Sequence, residues 1–315
     1  MTQSTQERSL AERLRRRIEI EDYFARARRT YRKSPLKLWW DRCVEPRVLK
    51  IGLQASGLYA RGVKNALNPV IRKVRLDCHR LPAAFEGFTI LHLSDFHIDG
   101  NPRLSDRLVS AIRELTPDLC VFTGDYRFDT RGPSDRVYAP MRSIVSSISS
   151  KHGVFGILGN HDAAEIAFAL EEMGVRMLVN EAVEIFNGSA SLSLAGVDDP
   201  FDYRCDDLPG ALSSVPPGAF QILLAHTPDL YKDAAERGVD VYLCGHTHAG
   251  QICFPLIGAV HLNSKSPRSY TYGHWTHEQM HGYTTSGVGC SGLPVRFNCP
   301  PEIVLIELRS ALSGV

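Results

Sequence analysis

Across its 315 residues the sequence has no run of the roughly 18 apolar residues that a membrane-spanning helix requires. Its first residues lack an apolar core with a cleavage site behind it, so no secretory leader is expected. It has no internal repeat and no low-complexity tract. Its eight cysteines, Cys43, Cys78, Cys120, Cys205, Cys244, Cys253, Cys290 and Cys299, form no C-x-x-C pair and keep no regular spacing. Cys120 and Cys244 lie inside apolar runs, where a cysteine serves as a small hydrophobe, so reduced thiols and a cytosolic setting are expected. Net charge is also nearly lacking, at +1, which by itself selects no class of partner.

That near-zero sum hides a division. Residues 1–80 hold 20 Lys and Arg against 8 Asp and Glu, leaving 16 against 27 for the rest. The pattern predicts a basic N-terminal region, 1–80, attached to an acidic domain, 81–315. From Ser9 to Lys33 the chain is Arg-rich and reads as a solvated helix or an arm. Leu36, Leu38, Trp39 and Trp40 then sit among Lys33, Lys37 and Arg42. Leu49, Leu53, Ser56, Ala60, Val63 and Leu67 follow 4-3-4-3-4 spacing, which predicts one helix with a single apolar stripe. Lys50, Arg61 and Lys64 fall off that stripe. Such a region suits the anionic surface of a membrane, while docking on the acidic domain or on a second subunit is the plainer alternative. Nothing suggests nucleic acid as a partner.

After Asn68-Pro69, apolar runs alternate with helical patterns. Strands are predicted at 88–94, 118–124, 153–159, 192–197, 220–225, 239–244 and 301–308, and further ones at 258–262 and 282–290. Helices are predicted at 103–114, 136–149, 163–173 and 229–237. The alternation, with 43% hydrophobic residues to fill a core, gives an α/β domain with largely buried strands.

The chemistry sits where those strands end. The run Thr89–Ser94 leads into Asp95-Phe96-His97, whose i, i+2 spacing in extended chain would point both side chains the same way. The run 119–123 leads into Gly124-Asp125, and 154–158 into Gly159-Asn160-His161-Asp162. The run 222–225 leads into His226, and 241–244 into Gly245-His246-Thr247-His248. Ligands in open α/β sheets bind beyond the carboxyl ends of strands. Carboxylate, amide and imidazole groups together favour Mn, Fe, Zn or Co over Ca or Mg. Gly124, Gly159 and Gly245 allow tight turns and close backbone approach. A single D-x-H or G-D means little; five such elements, each after a buried strand, point to a metal centre.

This series resembles the motif set of the calcineurin-like metallophosphoesterases over about residues 88–308. The resemblance implies a four-layer α/β/β/α sandwich with two mixed sheets, and two divalent ions, Mn foremost, with Fe, Zn or Co as alternatives. It implies that Asp95, His97 and His248 hold one ion, Asn160, His226 and His246 the other, and that Asp125 bridges them. His161 would be the general acid or transition-state donor, oriented by Asp162. Arg127 stands where many relatives differ, since their G-D-x-x-D is here Gly124-Asp125-Tyr126-Arg127-Phe128-Asp129, and Asp129 takes no role. Arg127 is a candidate to bind a substrate phosphate, with a surface ion pair as the plain alternative.

Protein phosphatases of the superfamily carry G-N-H-E, and G-N-H-D here argues against a phosphoprotein substrate. The stretch Gly245–Gln251 with Ala225–Asp229 resembles a bacterial branch of membrane-associated lipid phosphodiesterases, which usually has Gly where Ala249 stands. This implies a phosphodiester hydrolase acting on a membrane phospholipid in the manner of a phospholipase C, working in the cytoplasm at the inner face of the membrane. The rivals are a UDP-2,3-diacylglucosamine pyrophosphatase, a soluble phosphodiesterase with a nucleotide-like substrate and an oligomer contact at its N-terminal region, and an inactive scaffold.

Overall fold

A computed structural model describes residues 9–27, 45–259 and 262–311. The expected apolar cluster around Trp39 and Trp40 lies outside these residues. Within them, helices α1 (Leu10–Ala27), α2 (Glu45–Ala55) and α3 (Tyr59–Ala66) precede the first strand, β1 (Val70–Cys78). Then follow β2 (Thr89–Leu93), α4 (Leu104–Ile112), β3 (Leu119–Phe122), α5 (Asp135–Ser146), β4 (Val154–Gly156), α6 (Ala164–Glu172) and β5 (Val175–Met177). The second half carries β6 (Glu181–Asn187), β7 (Ala190–Gly196), α7 (Leu208–Leu212), β8 (Gln221–Leu224), α8 (Tyr231–Glu236) and β9 (Val241–Cys244). It is completed by β10 (Cys253–Phe254), β11 (Gly258–Ala259), β12 (Gly273–His277), β13 (Met280–Thr284) and β14 (Glu302–Ser310).

Two six-stranded mixed sheets form the centre. One has the order β1-β14-β2-β3-β4-β5, the other β12-β13-β9-β8-β7-β6. Ile90, Val121, Val304 and Ile306 of the first pack against Leu194, Ile222, Leu243 and Tyr283 of the second, so the sheets share one core. Leu91, Leu93, Cys120 and Phe122 turn the other way, towards Leu108, Met141 and Ile166 of α4, α5 and α6. Leu223 and Tyr242 turn towards Leu208 and Ala234 of α7 and α8. Because side chains alternate across a strand, a strand buried on both faces must be apolar throughout. The four-layer α/β/β/α expectation holds, and the apolar runs anticipated in the sequence are its central strands.

The N-terminal segments differ from expectation. Ser9 and Glu12 form a capping box, with the Ser9 N–H donating to Glu12 at 2.7 Å and the Glu12 N–H to the Ser9 hydroxyl at 3.3 Å. The helix they start is not a solvated arm, since Leu14 and Arg17 are fully buried against the α/β body. The stripe Leu49 to Leu67 does not lie on one helix. Gly57, at φ +72°, breaks it into α2 and α3. The face of α3 that docks is Gly62 and Ala66, because a Cβ on Gly62 would stand 2.7 Å from the Phe297 ring and only glycine lets that ring approach. The division expected at residue 80 falls after β1, which already pairs in parallel with β14 from Val70↔Glu302 to Cys78↔Ser310. The strand expected at 282–290 ends at Thr284, since the chain beyond it turns over Asp95, with the Gly289 N–H donating to the Asp95 carbonyl at 2.8 Å.

Candidate metal centre

The five motif-bearing strands, β2, β3 and β4 of one sheet and β8 and β9 of the other, end at one place, and their loops face each other across the seam between the sheets. Asp95, His97 and His248 present ligand atoms within 4.8 Å of one another, as do Asp125, His226 and His246. A third set, His97, Asp125 and His161, overlaps the first two. Asp125 lies between them, with Oδ2 at 3.6 Å from His97 Nε2 and 3.3 Å from His226 Nε2. Asn160 joins the second set through Oδ1, 3.1 Å from His226 Nε2.

The backbone is strained here. Asp95, His97, Asp125, His246 and His248 all have positive φ, between +39° and +69°. Such values are uncommon outside glycine and concentrate at functional sites. Asp95 and His97 are therefore not in extended chain as their i, i+2 spacing suggested. They come together because both residues flanking Phe96 are left-handed. Close glycines make room, as a Cβ on Gly159 would lie 2.2 Å from Asp125 Oδ1 and one on Gly245 would lie 2.2 Å from Asp95 Oδ2.

Second contacts fix the rings. His97 Nδ1 donates to the Arg127 carbonyl at 2.8 Å, and His226 Nδ1 donates to the Thr123 carbonyl at 2.7 Å. Each leaves an Nε2 lone pair aimed at the cluster. Asn160 donates through Nδ2 to Asp202 at 3.0 Å, which turns its Oδ1 inwards. The centre therefore collects lone pairs and carboxylates, with few protons between them.

Electrostatics point the same way. Burial pushes the His97 and His246 imidazoles down to about 3. Burial also opposes a charge on His226, yet Asp125, with Asp95 and Asp199 behind it, raises it to about 10. Asp125 is held well below the usual carboxylate range, since His226 and His161 outweigh its burial. Burial lifts Asp95 to about 6, against the pull of His226. The buried carboxylates thus favour positive charge at this spot. Divalent cations satisfy the same demand, and a mixed imidazole, carboxylate and amide set fits transition ions.

The remaining expected residues are placed as follows. His161 is half-buried beside Asp125, its N–H donating to Asp125 Oδ1 at 2.9 Å. Its ring is oriented by the Phe128 carbonyl, 2.5 Å from Nδ1, and not by Asp162 as anticipated. Asp162 is fully buried and braces the site, accepting the N–H groups of Asp125, Tyr126 and Gly159 at 2.8 Å and that of Arg127 at 3.3 Å. Arg127 does not offer its fork to a substrate. It is 3% exposed and donates to the carbonyls of His161 and Gly132 at 3.0 and 2.8 Å, tying two loops together.

Two buried arginines escaped the sequence reading. Arg296 donates to the carbonyls of Ser286, Gly287 and Cys299 and stands 3.4 Å from His248 Nδ1. Arg17, from α1, bonds Asp198 at 2.6 and 2.9 Å, the Asp162 carbonyl at 2.7 Å and the Gly159 carbonyl at 3.2 Å. It also lies 3.9 Å over the Tyr203 ring. Only the 4-residue spacing of Leu14 from Leu10, next to Arg17, hinted at a docked face.

The family model for the calcineurin-like phosphoesterases matches residues 88–250. Among curated proteins, an uncharacterized metallophosphoesterase, YkuE, of Bacillus subtilis is 31% identical over 73% of this chain and 82% of its own. The phosphodiesterase YaeI of Escherichia coli is 32% identical over 70% of this chain and 82% of its own. A transmembrane protein with a metallophosphoesterase domain from Danio rerio is 31% identical over 79% of this chain and 60% of its own.

Proposed function

From the premise that this chain belongs to the calcineurin-like phosphoesterase family, as a metal-dependent phosphoric ester hydrolase, we propose that it cleaves phosphodiester bonds in a membrane phospholipid, releasing the head group as a phospholipase C does. The observation that carries the hydrolytic reading is the position of Asp125 between two sets of ligand atoms. In this reading Asp95, His97 and His248 would hold one divalent ion and Asn160, His226 and His246 the second, with Asp125 placed to serve both. Manganese is the first candidate. Such ions, when bound, neutralise phosphate charge and acidify water.

The chain's own residues do the rest. Asp162 and Arg17 hold the Gly159–Asp162 loop, and Asp202 aims Asn160. The Phe128 carbonyl accepts a hydrogen bond from His161 Nδ1–H, so Nε2 is the atom free to exchange a proton with the leaving oxygen. His161, placed against Asp125 and edge-on to His97 at 4.8 Å between ring centres, is the group suited to that transfer.

The lipid assignment is supported by the charge division along the chain and by the resemblance of the Gly245–Gln251 stretch to lipid-acting relatives. It implies work at the inner face of a cytoplasmic membrane. The test is mass spectrometry of products after incubating Mn-loaded protein with a bacterial lipid extract. Phosphocholine or phosphoethanolamine appearing with diacylglycerol supports the reading. Release of UMP from UDP-2,3-diacylglucosamine alone would replace it with a pyrophosphatase, and hydrolysis confined to soluble nucleotides would discard the lipid.

A further inference from the structure

One face beside the metal centre is built mainly from segments that carry no carboxylate. No Asp or Glu occurs in 46–76, 241–277 or 279–301, although residues 81–315 carry 27 of them. These segments meet in space. The Arg296 N–H donates to the Gly62 carbonyl at 3.0 Å, and Asn65 donates to the Arg296 carbonyl at 2.9 Å. The Cys253 N–H donates to the Phe297 carbonyl at 2.9 Å, and the Phe297 N–H to the Gln251 carbonyl at 3.2 Å. Helices α2 and α3, the 291–299 loop and the β10–β11 hairpin are therefore neighbours.

The same face reaches the ligands. Ala66 of α3 and His97 line a common crevice. A groove lined by Ala249, Phe254, Leu256, Arg268, Tyr272 and Cys299 starts one residue after His248 and runs out along the hairpin. At the hairpin tip Leu256 is fully exposed, Ile257 is 70% exposed and Phe254 53% exposed. Val48 and Ile51 of α2 are similarly bare, at 62% and 65%. On the same segments Arg47, Lys50, Arg61, Lys64 and Arg268 are exposed.

We propose that this face docks on an anionic lipid bilayer, with Phe254-Pro255-Leu256-Ile257 entering the acyl region and α2 lying along the interface. Apolar side chains ringed by basic ones suit that boundary, and the scarcity of carboxylates limits repulsion from lipid phosphates. The acidic remainder of the domain turns away from the surface for the same reason, which leaves the metal centre facing the lipid. This rests on the lipid reading above and adds the surface through which the substrate is reached.

The experiment is co-sedimentation of the full chain with vesicles of phosphatidylglycerol and phosphatidylcholine, or of phosphatidylcholine alone. Binding to the anionic vesicles is expected to be at least tenfold tighter. Leu256→Asp with Ile257→Asp should weaken it at least tenfold, and Lys50→Glu with Lys64→Glu should do likewise. Both variants, altered only at exposed positions, should keep turnover of a small soluble phosphodiester within twofold. Wild-type protein that ignores anionic vesicles, or hairpin variants that bind as wild type does, would overturn the surface. So would a dimer in sedimentation that the hairpin variant dissolves while vesicle binding stays unchanged. If the wild type binds through the hairpin yet leaves phospholipid in detergent micelles intact, the surface stands and the lipid-substrate reading falls. If micellar phospholipid is hydrolysed and the hairpin variant still works on vesicles, the substrate stands and the surface falls.

Discussion

Replacing Arg17 with alanine removes a guanidinium that no solvent reaches and takes a donor from three acceptors, Asp198 and the carbonyls of Gly159 and Asp162. Breaking a buried ion pair from one side costs about 3–5 kcal/mol, because the remaining charge stays buried. The cost here belongs at the lower end. Asp198 keeps the Asp199 N–H at 2.8 Å and the Cys205 thiol at 3.0 Å. Unfolding entropy of roughly 2 cal/mol/K per residue converts about 3 kcal/mol into a Tm lower by about 5 °C for a chain of this length. Arg17 also holds the carbonyls of Gly159 and Asp162, which bracket Asn160 and His161. Misplacing catalytic groups by about 1 Å can cost on the order of 10²-fold in rate, so kcat should fall by that order while KM changes less. The assay pairs calorimetry with steady-state kinetics on a soluble phosphodiester. Arg17→Met with Asp198→Leu separates the two effects, since an apolar pair can restore stability but offers the loop carbonyls nothing. If that double variant regains both Tm and kcat, or if Arg17→Ala loses neither, the clamp described here does not exist.

Asp125→Asn should lower both metal content and turnover, because the carboxylate faces both ligand sets; two metals per chain by mass spectrometry of elements, with normal turnover, would contradict this. His161→Ala should keep metal stoichiometry and lose roughly 10²–10⁴ in kcat, as expected of a group acting in the transition state. Metal loss instead would make His161 a ligand, as its nearness to His97 and Asp125 permits. His92 is fully buried, and burial lowers its imidazole to about 3. A lowered histidine leaves stability intact above its unfolded value of about 6.5 and withdraws it as pH falls towards 3, by about 1.4 kcal/mol per unit at most. His92→Gln should therefore flatten the loss of urea resistance between pH 7 and 5, and an unchanged slope would refute the assignment.

The central strands, and the residues gathered at their ends, could be read from the sequence because a strand buried on both faces must be apolar along its length, and its end is marked by glycine and polar residues. Strand β1 was missed because Arg72, Lys73 and Arg75 face solvent on an edge, so its sequence looks like a charged linker. β5 has three residues and leaves too little pattern to detect. Arg17 sits in a run of arginines that reads as a solvated face, and only burial distinguishes it from Arg15 and Arg16. Arg127 misled in the opposite direction: proximity to a ligand in sequence suggested a substrate contact, whereas its side chain folds back on backbone carbonyls. The left-handed turns at Asp95, His97, Asp125, His246 and His248 have no signature in residue type, since these residues are there for their lone pairs and the fold bears the strain.

The order of the first sheet has a consequence for how the enzyme is made. β14 lies between β1 and β2, so two interior strand edges stay open until residues 302–310 leave the ribosome, long after the last candidate ligand, His248. Chains fold from the N-terminus during synthesis where local units permit. Here the nascent polypeptide has every candidate metal donor in hand while the sheet that fixes half of them still gapes. Loading with metal is thus a step that follows emergence of β14, and a nascent chain arrested at Pro301 should bind manganese far more weakly than one extended by an unstructured linker past Ser310. Equal binding by the two arrested chains would show that the ligand loops set before the sheet closes.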